Sequence, residues 1–401
     1  MAERKIEAAH ILVVDDSKVT RLLLTRHLEQ QGYLVSLAEH GKEALEMLAE
    51  NSYDLVLLDV EMPELDGYQT LETMKGNQHY RHLPVIMVTS IDDTDSAVRC
   101  IEFGAEDYLP KPFNPVLLQA RVGASLEKKR LHDQEQAYLK GLERELEIGR
   151  DIQMGFLPDE LPQVEGWEIV ASLKAAREVA GDFYDAYALE TDESICLVIG
   201  DVCDKGVGAA LFMTLFRSLL RFTMGATDTF GESSPAKKLK YAVSLTNNYI
   251  EKEHGTTGMF ATIFFGLLNP KDGMLSYINA GHEYPIILSP DGEQRALKTT
   301  GLALGVMPDW EYGVEQIQMN NGDLLFAYTD GASEMTDSEG NFFGKDRLMN
   351  LLNSDNKTAS ALVDKINTEL IKHIGNSYQF DDITLMALKR LMPSPSSDTK
   401  R

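Results

Sequence analysis

Residues 54–67 read DLVLLDVEMPELDG, and the fold of the first third of the chain turns on them. Leu55 to Leu58 are four consecutive apolar residues that run straight into Asp59. An unbroken apolar run bounded by turn residues is the pattern of a strand covered on both faces. A carboxylate at the end of such a strand needs a partner, because burying an unpaired charge is costly.

Outward from this stretch, HILVV, YLVSL, LPVIMVTS and AEDYLP read as four more strands. Between the strands, Lys18–Gln30, Lys42–Ala49, Tyr68–Lys75 and Ser96–Phe103 carry apolar residues at three- and four-residue spacing. Strands alternating with helices predict an α/β domain with a doubly wound, parallel, five-stranded sheet. Sites in such sheets lie beyond the carboxyl ends of the strands. Asp15 and Asp16 follow the first strand, Asp59 ends the third, Thr89 ends the fourth and Lys111 follows the fifth. Three converging carboxylates repel one another unless a cation sits among them, and oxygen-only ligation points to Mg2+. A lysine and a hydroxyl beside them suit an incoming phosphoryl group. Any one of these acids would serve equally well as a helix cap or a loop residue. The ordered set on strand ends is what carries the reading.

The segments VVDDS, LLDVEMPELDG, PVIMVTS and YLPKPF resemble the receiver domain of two-component response regulators. Thr89 and Lys111 stand thirty and fifty-two residues beyond Asp59, as in that family. The resemblance implies that Asp59 accepts the phosphoryl group, that Asp16 ligates Mg2+ directly and Asp15 through water, and that the Glu61 carbonyl completes the protein's share. It further implies that Thr89 and Lys111 hold the phosphate, that Tyr108 is the aromatic switch, and that Lys111-Pro112 favours a cis bond. A sensor histidine kinase or another phosphodonor is the implied partner.

The chain has 401 residues, a length for two or three domains. Its formal net charge of −25 leaves no basic excess to neutralise nucleic-acid phosphates or anionic membranes, so neither is an expected partner. The three cysteines (Cys100, Cys196, Cys203) lack ligand-like spacing and a disulfide framework, which suits a reducing cytoplasm. The apolar run from Met259 is about half the length of a membrane span.

No proline stands between Pro115 and Pro158, and the segment is dense in good helix formers. One helix of about 40 residues is expected, roughly 60 Å long. Leu131, Tyr138, Leu142, Leu146 and Ile152 give a partial heptad, broken by Gly141 and Gly149, which predicts either a spacer or a dimerising signalling helix. In the second case phosphorylation is expected to pair two chains, or rotate an existing pair, and so to press Ile152 and Phe156 on the domain that follows.

After Pro162 the strand-like runs WEIVASL, ICLVIGDVC, FATIFFGLL, MLSYINAG, DLLFAYTDG and ITLMALK are interrupted by helical blocks at Gly208–Met224 and near Ser234–Lys252. A tight Lys271-Asp272-Gly273 turn predicts a hairpin. Four acidic motifs, GDFYD (Asp182), GDVCDKG (Asp201), YTDG (Asp330) and FDDIT (Asp381, Asp382), lie at the edges of apolar runs, mostly beside glycine. Carboxylates without His or Cys partners favour hard cations such as Mg2+ or Mn2+, and two such ions suit in-line attack of water on a phosphate.

The motifs REVAGDFYDAY, GDVCDKGVGAALFM, NAGHEYPIIL, GLALGV, FAYTDGASEMTDSEGNFFG and FDDITLMALK resemble the metal-dependent serine/threonine protein phosphatases of the bacterial sporulation and sigma-factor branch. The segment ELEIGRDIQMGFLP resembles the switch helix leading into that family. The resemblance implies an α-β-β-α sandwich binding two Mn2+ or Mg2+. Asp201 would bridge both ions, the Val202 carbonyl would bind one, and Asp330 and Asp381 the other. Asp182 would act directly or through water, and Asp382 would hold the loop. The family has a small residue and a glycine where Cys203-Asp204 stand, so Asp204 adds charge near the ions. Arg177 suits the substrate phosphate or a surface ion pair, and His282 is expected to be structural.

The expected organisation is a receiver domain at 1–125, a helical signalling linker at 126–157, a phosphatase domain at 158–391 and a disordered tail at 392–401. The expected function is a response regulator whose aspartyl phosphorylation controls a phosphoserine/phosphothreonine phosphatase. The family implies a STAS-type anti-sigma-factor antagonist as substrate and a homodimer as the working form. The rival expectation is a catalytically weak scaffold under receiver control. A DNA-binding regulator lacks a basic recognition helix.

Overall fold

The computed structural model describes residues 8–90, 94–190, 193–229, 234–352 and 358–392. It divides into two compact units, Met1–Leu142 and Glu143–Arg401. The expected tail lies outside the described residues from 393 onward.

The first unit comprises β1 (His10–Val14), α1 (Lys18–Gln30), β2 (Leu34–Ala38), α2 (Gly41–Glu50), β3 (Leu55–Asp59), α3 (Gly67–Gly76), β4 (Val85–Thr89), α4 (Thr94–Glu102) and β5 (Asp107–Pro110). All strand pairs are parallel, in the order β2-β1-β3-β4-β5. The central strand β3 is buried at every position. Val56 and Leu58 enter one core with Leu12, Val14 and Leu71, whereas Leu55 and Leu57 enter the opposite core with Ile11, Val13 and Leu24. That double cover is why the run is apolar without alternation. Each of these side chains stabilises the unit by about 1.5–3 kcal/mol relative to exposure.

The Asp66-Gly67 pair is more than a turn. Asp66 is the N-cap of α3 in a capping box with Gln69, and a Cβ on Gly67 would lie 2.2 Å from the Asp59 carbonyl. Glycine lets the start of α3 close over the end of β3.

The next helix, α5 (Pro115–Met154), has the expected 40 residues. Its residues up to Leu142 group with the first unit and those from Glu143 with the second. Leu118 and Val122 are buried at one end, but Leu131, Tyr138 and Leu142 are exposed. At the other end different side chains are buried. Ile152 is 61% and Phe156 38% exposed, while Gln153 (5%) and Leu157 (6%) are buried. Neighbouring residues on a helix point about 100° apart, so a one-residue difference changes which side chain meets the core.

The second unit comprises β6 (Trp167–Lys174), β7 (Phe183–Ala188), β8 (Ile195–Val202), α6 (Val207–Thr229), α7 (Pro235–His254), β9 (Ala261–Leu268), β10 (Met274–Ala280), β11 (Ile286–Leu288), β12 (Gln294–Ala296), β13 (Glu315–Gln318), β14 (Leu324–Tyr328), α8 (Asp330–Ser333), α9 (Lys345–Leu351), α10 (Ala359–Ile374) and β15 (Ile383–Arg390). Two antiparallel five-stranded sheets, β13-β10-β9-β8-β7 and β12-β11-β14-β15-β6, pack face to face. Helices α6 and α7 cover the first sheet, and α9 and α10 the second, which completes the α-β-β-α layering. The Lys271–Gly273 turn joins β9 to β10 as the expected hairpin. Helix α6 includes a segment, Val207–Thr227, long and apolar enough to cross a membrane, yet Ala209, Met213, Phe216, Leu220 and Met224 of that segment are buried in the core under the first sheet.

Candidate functional site

Two groups of acids stand out, one in each unit. In the first unit, β1 and β3 end side by side, which places Asp15 (1% exposed) and Asp59 (4% exposed) in a shared pocket with the exposed Asp16. One carboxylate oxygen from each lies within 4.8 Å of the others, the sole such triad among the described residues. Lys111 Nζ reaches Asp15 Oδ2 and Asp59 Oδ2, each at 2.8 Å, from a loop whose Lys111-Pro112 bond is cis. Burial, and then the neighbouring Asp15 and Asp16 charges, push Asp59 up to about 6 despite the Lys111 hydrogen bond. Burial pulls Lys111 down, but its bonds to Asp15 and Asp59 outweigh this and raise it. Three carboxylates with one lysine among them are short of positive charge, and the all-oxygen donor set fits Mg2+.

The pocket in front of Asp59 measures about 810 Å³ and is lined by Asp16, Glu61, Ser90, Arg99 and Lys111 among others. Thr89 is buried at the end of β4, and Tyr108 on β5 is half-buried with the Arg121 guanidinium 4.9 Å from its ring centroid. Arg21 escaped the sequence reading. It is buried, donates to the carbonyls of Asp15 (2.7 Å) and Asp16 (3.1 Å), and pairs with Glu39. An arginine on the apolar side of a helix shows no such role in sequence.

In the second unit the acids come from four separate segments. Asp182, just before β7, is 2% exposed, and its Oδ2 accepts from Thr329 Oγ1 and Thr384 Oγ1, both at 2.7 Å. Burial first, then the Asp201 and Asp382 charges, raise it well above the carboxylate range. Asp201, near the end of β8, is pushed up to about 7 by burial and then by Asp330 and Asp381. Asp330 opens α8 and is raised by burial, then by Asp381, Glu334 and Glu283. Asp381 has its side chain 35% exposed and bonded to Lys205. No three of these acids draw together as tightly as the first unit's triad. Their mutual repulsion and the lysine already beside them mark a place for cations, and the donor set fits Mg2+ or Mn2+.

Asp382 points elsewhere. It accepts from the backbone N–H groups of Ala176 (2.7 Å), Gly181 (2.7 Å) and, more loosely, Asp182 (3.5 Å), so it ties the segment carrying Asp182 to β15. Gly331 lets α8 approach the same loop, since a Cβ there would stand 1.8 Å from the Asp382 carbonyl. Gly331→Ala is expected to destabilise the second unit by about 1–3 kcal/mol, because overpacking here must shift backbone. The check is a lower urea midpoint for the variant at an unchanged m-value.

Val202 is buried in β8. Asp204 is exposed and takes a left-handed conformation (φ 71°), with Oδ1 accepting from Lys205 N at 2.8 Å. Aspartate tolerates that region through such local bonds, but glycine adopts it freely. Arg177 is exposed beside Gly206 and forms no ion pair among the described residues. His282 is buried with Nδ1 2.9 Å from Thr262 Oγ1, and burial pulls its pKa down to about 4, so it is a neutral structural residue at neutral pH.

Gln153, near the end of α5, was also missed. Its side-chain amide accepts from Ala180 N at 2.9 Å and donates to Ala180 O at 2.7 Å, two residues from Asp182. A glutamine in a helix rich in Gln and Glu carries no sequence signal of that bond.

Comparison with known proteins agrees with this geometry. The family description "Stage II sporulation protein E (SpoIIE)" matches residues 191–391, and "Response regulator receiver domain" matches residues 11–123. Asp182 lies upstream of the first match. Protein IcfG of Synechocystis sp. is 45% identical over 263 residues, covering 61% of this chain and 41% of the relative. Phosphoserine phosphatase RsbU of Bacillus subtilis is 29% identical over 263 residues, covering 64% of this chain and 74% of the relative. The SiaA-PP2C domain of Pseudomonas aeruginosa shares the fold, with a TM-score of 0.54 at 20% identity over 63% of this chain and 98% of that domain. The chain spans 41% of IcfG and 55% of the response regulator MprA of Mycobacterium ulcerans, less than two thirds of either.

Proposed function

Because the chain belongs to the stage II sporulation protein E family and carries a response-regulator receiver domain ahead of that match, we propose that it is a protein phosphatase controlled by aspartyl phosphorylation. The observation that carries this reading is the meeting of Asp182, Asp201 and Asp330, each raised first by burial and then by neighbouring acids, with Asp381 beside them. Asp201 would bridge two Mn2+ or Mg2+ ions, with the Val202 carbonyl and Asp182 on one side and Asp330 and Asp381 on the other. Bound ions supply an activated water and neutralise charge on the phosphate. The chain's own part is positional. Thr329 and Thr384 fix Asp182, Asp382 fixes the loop behind it, and Arg177 would meet phosphate oxygens. The substrate is a phosphoserine or phosphothreonine protein, with a STAS-type anti-sigma-factor antagonist as the family's precedent. The printed name of RsbU, a phosphoserine phosphatase, supports the residue class.

In the receiver, Asp59 takes a phosphoryl group from a histidine kinase or small phosphodonor. Asp15, Asp16, Asp59 and the Glu61 carbonyl would hold Mg2+, Thr89 and Lys111 would hold the phosphate, and Tyr108 would follow. The acidic charge and the lack of a disulfide framework suit a reducing cytoplasm and no nucleic-acid partner.

Control requires an element with two states between the sites, and α5 is the element that both units share. Gln153 ties its end to the backbone beside Asp182, and its exposed Leu131, Tyr138 and Leu142 suit pairing with a second copy. The test is the dephosphorylation rate of a phosphoserine protein with Mn2+, with and without phosphodonor, for the wild type and Leu142→Pro. Phosphorylation is expected to change the wild-type rate. Leu142→Pro, which costs the helix about 3 kcal/mol, should leave both activities intact and abolish that response. A proline variant that responds by the wild-type factor would reduce α5 to a tether. The scaffold reading, which Asp204 near the acids keeps open, predicts no turnover in any form.

A further inference from the structure

The acids of the second unit already hold a cation. Lys205 extends from the loop after β8, and its Nζ lies 2.8 Å from Asp381 Oδ2. The same ammonium donates to the Phe380 carbonyl at 3.0 Å and stands 3.8 Å from the centroid of the Phe380 ring. The carboxylate bond is charge-assisted, and the face of an aromatic ring attracts an ammonium. The other Asp381 oxygen, Oδ1, accepts from Asp382 N at 3.0 Å. Each oxygen of Asp381 is therefore engaged within the protein, and Oδ2 is engaged by a positive charge. Among the described residues, Arg177 reaches none of these acids as an ion pair, so this role falls to Lys205.

Resting on the metal-site reading above, we propose that Lys205 is an internal counter-ion that competes with the divalent cation for Asp381 and sets the metal concentration at which the site fills. An ammonium and a divalent ion on one carboxylate oxygen repel each other, so filling requires Lys205 to release Asp381. The Phe380 carbonyl and ring give the released ammonium a place to stay. The acids can then stand together without ions, because one of them is neutralised from within. The cost is weaker metal affinity on the Asp381 side than on the Asp182–Asp201 side.

The experiment titrates Mn2+ into the full chain, reading bound metal by electron paramagnetic resonance and folding by thermal melting. It compares the wild type with Lys205→Gln, Lys205→Arg and Asp201→Asn. Binding that Asp201→Asn removes belongs to this cluster. Lys205→Gln is expected to tighten the weaker of those sites by about tenfold, a change of about 1.4 kcal/mol. Lys205→Arg keeps the charge and is expected to bind as the wild type does. Without Mn2+, Lys205→Gln should melt below the wild type, and saturating Mn2+ should close that gap. Unchanged or weaker Mn2+ binding in Lys205→Gln overturns the competition. A melting deficit that persists at saturating Mn2+ also overturns it, and assigns Lys205 a packing role. If Asp201→Asn removes no Mn2+ binding, the metal-site reading itself fails, and the competition fails with it.

Discussion

Asp201→Asn is expected to lower phosphatase turnover by more than about a hundredfold, a loss of about 3 kcal/mol or more of transition-state stabilisation. The argument runs from position to charge. Asp201 stands beside Asp182 and feels Asp330 and Asp381, so it faces acids from both sides. Its carboxyl is pushed up to about 7 from an ordinary value of 3.8. A folded-state pKa raised above the unfolded one favours the neutral form in the fold. That contribution is complete below about pH 4 and is lost as pH rises through about 7. Asparagine has the same shape and stays neutral. Without divalent ions the variant should therefore melt at or above the wild-type temperature at neutral pH, and lost activity cannot then be ascribed to unfolding. Turnover near the wild-type rate on a phosphoserine protein with Mn2+ would sink the assignment.

Asp59→Asn is expected to abolish labelling by a small-molecule phosphodonor with Mg2+, because among the described residues Asp59 alone both lines this pocket and bonds Lys111. Labelling that persists undiminished would mean that the acceptor lies elsewhere. The same substitution carries a second, independent readout. Asp59 is pushed up to about 6 from 3.8, first by burial and then by Asp15 and Asp16. Its ionisation thus opposes folding above about pH 6, by up to about 3 kcal/mol at the usual conversion of pKa to energy. Lys111 loses one of its two partners in the variant, which offsets part of this gain. The wild type, without Mg2+, should lose stability as pH rises from about 4 through about 6, whereas Asp59→Asn should lose less over that window. Mg2+ should raise the wild-type melting temperature more than the variant's, and equal shifts would place the ion elsewhere.

Much of the receiver was legible because its signals are local. Leu55 to Leu58 lie on a central parallel strand, and only a strand covered on both sides is apolar at every position. Turn chemistry was read less fully, since Asp66 caps α3 and Gly67 lies against the Asp59 carbonyl. In the second unit the long strands were legible, while β11, β12 and β13, three or four residues each, are too short to display a period of two. Strand β7 is masked by its own acidic motif. Helix α10 did carry a signal: its buried Ala359, Leu362, Val363, Ile366 and Leu370 fall on one helical stripe, with Thr358 as N-cap.

The sequence alone determined which residues can do chemistry and the order of the elements that carry them. Side-chain type, apolar period and spacing are properties of a chain read in one dimension. What only the tertiary structure decided is how those residues meet. Asp382, adjacent to Asp381, turns to the backbone of Ala176 and Gly181, about two hundred residues away. Gln153, not Ile152 or Phe156, meets the Asp182 loop. Lys205 rests on Asp381 and Phe380, 176 and 175 residues further along the chain. Each of these contacts joins segments far apart in sequence, and each depends on a helix phase or a loop direction that sheet packing sets. A difference of one residue in that phase leaves composition and spacing unchanged, and it exchanges a buried hydrogen bond for an exposed side chain.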